Sequence, residues 1–102
     1  MSFMLRFVQR FRPDQKEAFL NLEKQFIQLE QSVLEFPKGK RFIPYSGREA
    51  TNTLIWQCEF ETLAEAQNAL VFLENDTRHE ALYRQQIPFF LDAFTEIYES
   101  IK

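Results

Sequence analysis

The chain carries one histidine, one cysteine and one tryptophan, so imidazole, thiol and indole chemistry each have a single candidate: His79, Cys58 and Trp56. His79 is the residue to act as a general base or to bind a metal or haem. It follows Thr77 in what reads as a first helical turn, where the helix dipole disfavours a charged ring and favours the neutral, proton-accepting form. A surface or capping histidine is the plain alternative at such a position. Trp56, Tyr45, Tyr83 and the Phe residues supply rings that can line an apolar pocket for a planar molecule. Gln9 interrupts an otherwise apolar series, Phe3, Leu5, Phe7 and Phe11. An amide left unpaired there costs ~1 to 3 kcal/mol, so Gln9 either bonds to nearby backbone or points at a ligand.

Other chemistries find no support. Cys58 falls on the apolar side of a strand with no second cysteine, which suits a packed thiol and not a nucleophile. One His and one Cys do not make a zinc site of ordinary composition. Gly39 and Gly47 are too few and too far apart for a phosphate-cradling loop. Ser2, Ser32, Ser46 and Ser100 lack a nucleophile-elbow context. No cofactor is indicated.

The elements that must position these residues follow from the apolar spacing. Phe3 to Phe11 alternates as a strand with one buried side. Asp14 with Glu17 forms a capping box that predicts a helix, along which Phe19, Leu22, Phe26, Leu29, Val33 and Phe36 recur every three or four residues. Leu20, Ile27 and Leu34 widen that stripe. Pro37-Lys38-Gly39-Lys40 stops the helix. A strand from Arg41 to about Ser46 contains Pro44, which cannot donate to a ladder and so predicts an edge. Thr53 to Glu61 is the clearest strand, with Leu54, Trp56, Cys58 and Phe60 on its apolar face. Thr62 with Glu65 caps a second helix that ends at Asn75-Asp76, and Thr77 with Glu80 is read as the cap of a third, from Arg78 to Gln86. The tail from Phe89 has both helical and strand spacing. A strand from about Ala93 is chosen, because a four-stranded sheet lacks only that element.

Length and charge bound the rest. A chain of 102 residues is expected to form one domain over 1–102, burying roughly 60 to 70% of its unfolded surface. Twelve Phe help to make 16% of the residues aromatic, a heavy load for a thin interior that a partner could share. The formal charge of -3 gives no positive field for nucleic acid or an anionic membrane, and neither is expected as a partner. Without a long apolar run or a disulfide pair, a cytoplasmic protein is expected.

The order β-α-β-β-α-β, the edge proline and the matching faces of the first and third strands describe a ferredoxin-like α+β fold with a four-stranded antiparallel sheet and helices on one face. Leu54 to Ala81 carries Glu59-Phe60-Glu61, Leu63-Ala64-Glu65-Ala66 and Asn75-Asp76-Thr77-Arg78-His79. This stretch resembles the dimeric α+β barrel superfamily, in particular the small antibiotic-biosynthesis-monooxygenase-like and NIPSNAP-like domains. The resemblance implies a homodimer whose sheets face each other, with a ligand pocket between helices and sheet. Haem-degrading relatives place a Trp just beyond the third strand and a His about one helix later. Here those places fall on Thr62 and near Val71 and Phe72. On the sheet's other face Arg6, Arg10 and Arg12 are expected beside Gln57, Glu59 and Glu61. Their charge alone would leave that face in water, whereas the resemblance implies that a second copy closes on it.

Two readings of function remain open. One is a small dimeric barrel protein that binds an aromatic or hydrophobic ligand through Gln9, Tyr45, Trp56 and Tyr83. The other is a cofactor-independent monooxygenase acting on an aromatic or polyketide-like substrate, with His79 as its catalytic residue.

Overall fold

A computed structural model describes residues 1–101, so the end of the tail at Lys102 lies outside the described residues. The elements are β1 (Phe3–Phe11), α1 (Lys16–Ser32), β2 (Lys40–Phe42), β3 (Thr53–Phe60), α2 (Leu63–Asn75), α3 (Thr77–Gln86) and β4 (Phe90–Glu99), with 3-10 turns at Pro13–Gln15 and Ile87–Phe89. The strands form one sheet in the order β2-β3-β1-β4, with every neighbouring pair antiparallel. This is the ferredoxin-like α+β arrangement, with β1 and β3 central and the short β2 at an edge.

Strand pairing assigns each side chain to a face, because residues directly opposite in an antiparallel pair share a side. Phe7 lies across from Trp56 and Leu5 from Cys58, and both pairs turn toward the helices. Their burial builds two cores. Leu5, Phe36, Trp56 and Leu73 form one, and Phe11, Phe19 and Leu54 the other. Phe11 and Phe19 are completely buried and stack with centroids 4.6 Å apart. Each such side chain contributes ~1.5 to 3 kcal/mol by leaving water.

The helix ends depart from the sequence expectation in three places. Asp14 does not cap α1: it sits in the 3-10 turn that Pro13 opens, and its carboxylate faces Arg12 at 3.9 Å in solvent. Gln15 holds the N-cap position without a side-chain bond. At the other end α1 stops at Ser32, short of Phe36, and Leu34 is 91% exposed. The Lys38 ammonium satisfies the end of the helix by donating to the carbonyls of Glu30 and Val33. Phe36 still reaches the core from the following turn. The third cap is Asp76, one residue before Thr77. Its Oδ1 accepts from the amides of Arg78 at 2.9 Å and His79 at 3.1 Å. The Thr62 cap of α2 is as read, with Oγ1 accepting from the Glu65 amide at 3.1 Å.

Strand limits shift as well. β2 covers only Lys40–Phe42 and leaves Pro44 in the connecting loop, while β4 begins at Phe90, three residues before Ala93. The sheet face away from the helices holds a row that crosses all four strands: Phe42, Ile55, Val8 and Phe94. Val8 is buried by its neighbours, whereas Phe42 is 47% and Phe94 42% exposed. In the charged row beside it Arg6 lies across from Gln57, as expected, but its ion pair is with Glu96 of β4 at 3.2 Å, and Glu59 accepts from the Ser2 hydroxyl at 2.7 Å. Arg10 lies across from Thr53 and Asp92, and Arg12 and Glu61 fall outside the strands.

Candidate functional site

Polar groups stand inside the helix layer where the apolar pattern promises none. Glu23 and Glu30 lie one heptad apart on the buried side of α1, 7% and 8% exposed. A carboxylate so placed is costly unless paired and hydrogen-bonded. Arg41 supplies the pairing. Its position opposite Trp56 turns it to the helix side of the sheet, where its Nε donates to Glu23 Oε2 at 2.6 Å and its Nη1 to Glu30 Oε2 at 3.1 Å. The Trp56 indole Nε1 donates to Glu30 Oε1 at 3.0 Å, and Gln86 Nε2 donates to Glu23 Oε1 at 3.0 Å. All four carboxylate oxygens therefore accept a hydrogen bond.

Beside this network the helices stand away from the sheet and leave a cavity of about 510 Å³, within the ~300 to 1,000 Å³ typical of small-molecule sites. The reason lies in β4. Across from Phe7 and Gln9 of β1 it presents only Thr95 and Ala93, side chains too short to fill the layer, and both are exposed. The walls are aromatic. Phe7 stacks on Trp56 with centroids 4.9 Å apart and planes 18° from parallel, and Phe26 meets His79 at 5.0 Å. Tyr83 packs against Phe90 at 5.6 Å and lies parallel to His79 at 6.5 Å. Gly39 closes the back of this wall. A Cβ there would fall within the indole ring of Trp56, so only glycine lets the chain lie flat on it.

The sequence candidates divide into those the fold gathers and one it does not. Gln9, Trp56, His79 and Tyr83 all line the cavity. Tyr45 does not join them: it sits in the loop between β2 and β3 and is 96% exposed. Burial pushes the His79 imidazole below its ordinary 6.5, opposed by Asp76 and assisted by Arg41. The ring is thus held in its neutral form. Cys58 is half-buried, its Sγ donating to the Lys38 carbonyl at 3.4 Å, and burial together with the Glu30 charge pushes the thiol up. It is poorly suited to nucleophilic work.

Glu23, Glu30, Arg41 and Gln86 were not singled out by the sequence reading. A signal for the first two exists, since a glutamate recurs after seven residues inside the apolar stripe of α1. Gln86 gives none: at the end of a polar helix, nothing distinguishes it from Gln85. Among the described residues no group of three or more His, Cys, Asp or Glu is arranged to hold a metal, and no helix is long and apolar enough to cross a membrane.

No family model and no curated protein matches this chain. Solved structures match its fold over nearly its whole length. A NIPSNAP family protein from Agrobacterium tumefaciens superposes with a TM-score of 0.76 at 15% identity, covering 98% of this chain and 86% of the other. An antibiotic biosynthesis monooxygenase gives 0.77 at 9% identity over 98% and 99% of the two chains. A NIPSNAP-like domain protein from Burkholderia xenovorans gives 0.74 at 16% identity over 98% and 85%. At these identities the likeness establishes the fold that the sequence resemblance implied, that of the NIPSNAP-like and antibiotic-biosynthesis-monooxygenase-like domains.

Two outcomes follow from the polar network and the imidazole. Replacing Arg41 by Met leaves two buried carboxylates without a counter-charge and should destabilise the fold by about 3 to 5 kcal/mol in urea unfolding. A loss below about 1 kcal/mol would show that water, and not the guanidinium, solvates them. His79 should make the protein less stable as pH falls below 6.5, because the unfolded imidazole takes up a proton that the folded one resists. Unfolding free energies of wild type and His79→Gln should run parallel above that pH and diverge below it, wild type falling faster. Parallel curves throughout would place the ring in ordinary solvent.

Proposed function

We propose that this chain is a small-molecule binding protein that takes an aromatic or hydrophobic ligand between its helices and sheet, and that it works as a homodimer. The observation that carries the first part is the cavity itself, walled by the Phe7–Trp56 stack, the Phe26–His79 contact and Tyr83, and bordered by the hydrogen-bonded Glu23, Glu30 and Arg41. Apolar walls with a few oriented polar groups are the usual composition of such sites. Gln9, Trp56 and Tyr83, which line the cavity, are the residues we assign to the ligand.

The second part rests on the sheet's open face. The row Phe42, Ile55, Val8 and Phe94 is too apolar to be an ordinary wet surface, and the flanking charges are already partnered in part, as in the Arg6–Glu96 bridge. A second copy of the chain, bringing the same row, would cover it.

One observation favours a second reading. A neutral His79 borders the cavity, and a protein of the same fold is described as an antibiotic biosynthesis monooxygenase. Cofactor-independent oxygenation asks for a pocket that holds an oxidisable aromatic and a base that takes its proton. His79 is the base that reading requires.

A thermal-shift screen against aromatic quinols, flavins and haem separates these ideas. A ligand at one hundred times its dissociation constant should stabilise the protein by ~2.7 kcal/mol, and a screen without any stabilisation would leave the cavity as a packing defect. If a quinol is turned over, His79→Ala should abolish turnover while the protein still binds it; retained turnover would remove His79 from that role. Light scattering after size exclusion should give twice the chain mass for wild type and the single-chain mass for Phe94→Glu. A monomeric wild type would end the dimer proposal.

A further inference from the structure

The charged groups inside the helix layer are committed to one another. Arg41 donates to Glu23 and Glu30, and the other two carboxylate oxygens accept from Trp56 and Gln86. Glu74 and Glu80 also border the cavity, but both are exposed to solvent, and Glu80 pairs with Arg84. A charged ligand group therefore finds no uncommitted counter-charge within the layer.

Gln9 differs from all of these. It stands on the central strand β1, across from Leu54 of β3 and Ala93 of β4. Phe7 and Phe11 flank it on the same face, so its side chain enters the helix layer, where it lines the cavity and is half-buried. The bonds of the buried network do not include it, and no other group among the described residues bonds to its amide. The unpaired polar atoms sealed inside the protein are Thr53 Oγ1 and Gln86 Oε1. The amide oxygen and nitrogen of Gln9 are not among them, so both stay open to a molecule in the cavity. The short side chain of Ala93 on the neighbouring strand leaves that approach clear.

A primary amide carries a carbonyl acceptor and an N–H donor side by side in one plane. A purely apolar guest would cover both and leave them unpaired, which is unfavourable. A hydroxyl is a single atom and aligns well with only one of the two. A cyclic amide, whose ring N–H lies beside its own carbonyl, meets both through two parallel hydrogen bonds, as glutamine meets the paired donor and acceptor on the edge of adenine. Phe7 lies about 7 Å along the same strand face, and its stack with Trp56 at 4.9 Å gives the rest of a flat ring system an aromatic surface.

Resting on the reading of this cavity as a binding site, we infer that its ligand is a neutral, planar heterocycle with a cyclic-amide edge, held by paired hydrogen bonds to the side chain of Gln9. Isoquinolone, naphthol and isoquinoline share a bicyclic frame and offer that side chain a paired donor and acceptor, a hydroxyl, and an acceptor alone. Calorimetric titration of the full chain at neutral pH should find isoquinolone binding about tenfold more tightly than either of the others. Gln9→Met, which keeps the bulk and removes the amide, should bring isoquinolone down to the affinity of isoquinoline. N-methylisoquinolone, with its donor blocked, should lose the same factor on wild type, a readout that does not depend on the variant folding. Equal affinities, tightest binding of naphthol or isoquinoline, or a preference for isoquinolone that survives Gln9→Met or N-methylation would overturn the inference while leaving an apolar binding site intact. Binding of none would overturn the site as well.

Discussion

One guanidinium holding two buried carboxylates is the constraint on which this architecture turns. Each ion moved out of water costs several kcal/mol before any pairing is counted. The arrangement survives because every oxygen of Glu23 and Glu30 receives a donor, two of them from Arg41 and one each from Trp56 and Gln86. Those donors come from β2, β3 and α3, while the acceptors ride on α1. The network therefore fixes the spacing of helix layer and sheet, which apolar contact alone would specify only loosely. It also explains how a three-residue edge strand keeps its place: β2 is tied through the side chain of its middle residue.

The sequence made the architecture legible because its signals are local. Alternation in Phe3–Phe11 and Thr53–Phe60 and the three-four spacing from Phe19 onward each reflect burial of one side of one element. Capping was harder to read. Asp14 and Thr77 have the right residue types, but Pro13 draws the first into a 3-10 turn, and Asp76, one residue before Thr77, takes the second role by accepting from the amides of Arg78 and His79. The end of α1 was overestimated because Phe36 is buried in phase with the helix although its backbone has already left it.

The site was legible in its rings and not in its ions. Aromatic residues at Trp56 and Tyr83 and the isolated Gln9 announce themselves by type. Glu23, Glu30 and Arg41 look like ordinary surface charges until the strand register brings the arginine over α1, a relation between residues distant in sequence that no single window contains. Tyr45 shows the converse: a ring suited by type to a pocket, placed by the loop after β2 in open solvent. At the edge formed by β4 the two sides of the sheet communicate, since Phe94 belongs to the open-face row and also borders the cavity.

The junction of the two later helices has a mechanical corollary. Asp76 closes α2, its amide donating to the Phe72 carbonyl at 3.0 Å, and at the same time opens α3 through its carboxylate. No spare residue separates the helices, so their relative angle is concentrated in the backbone torsions of a single elbow. Because His79, Tyr83 and Gln86 all ride on the outer arm, ten residues and so about 15 Å long, a rotation of about 5° at Asp76 moves the far end of α3 by about 1 Å. The width available to a guest is thereby tied to one joint.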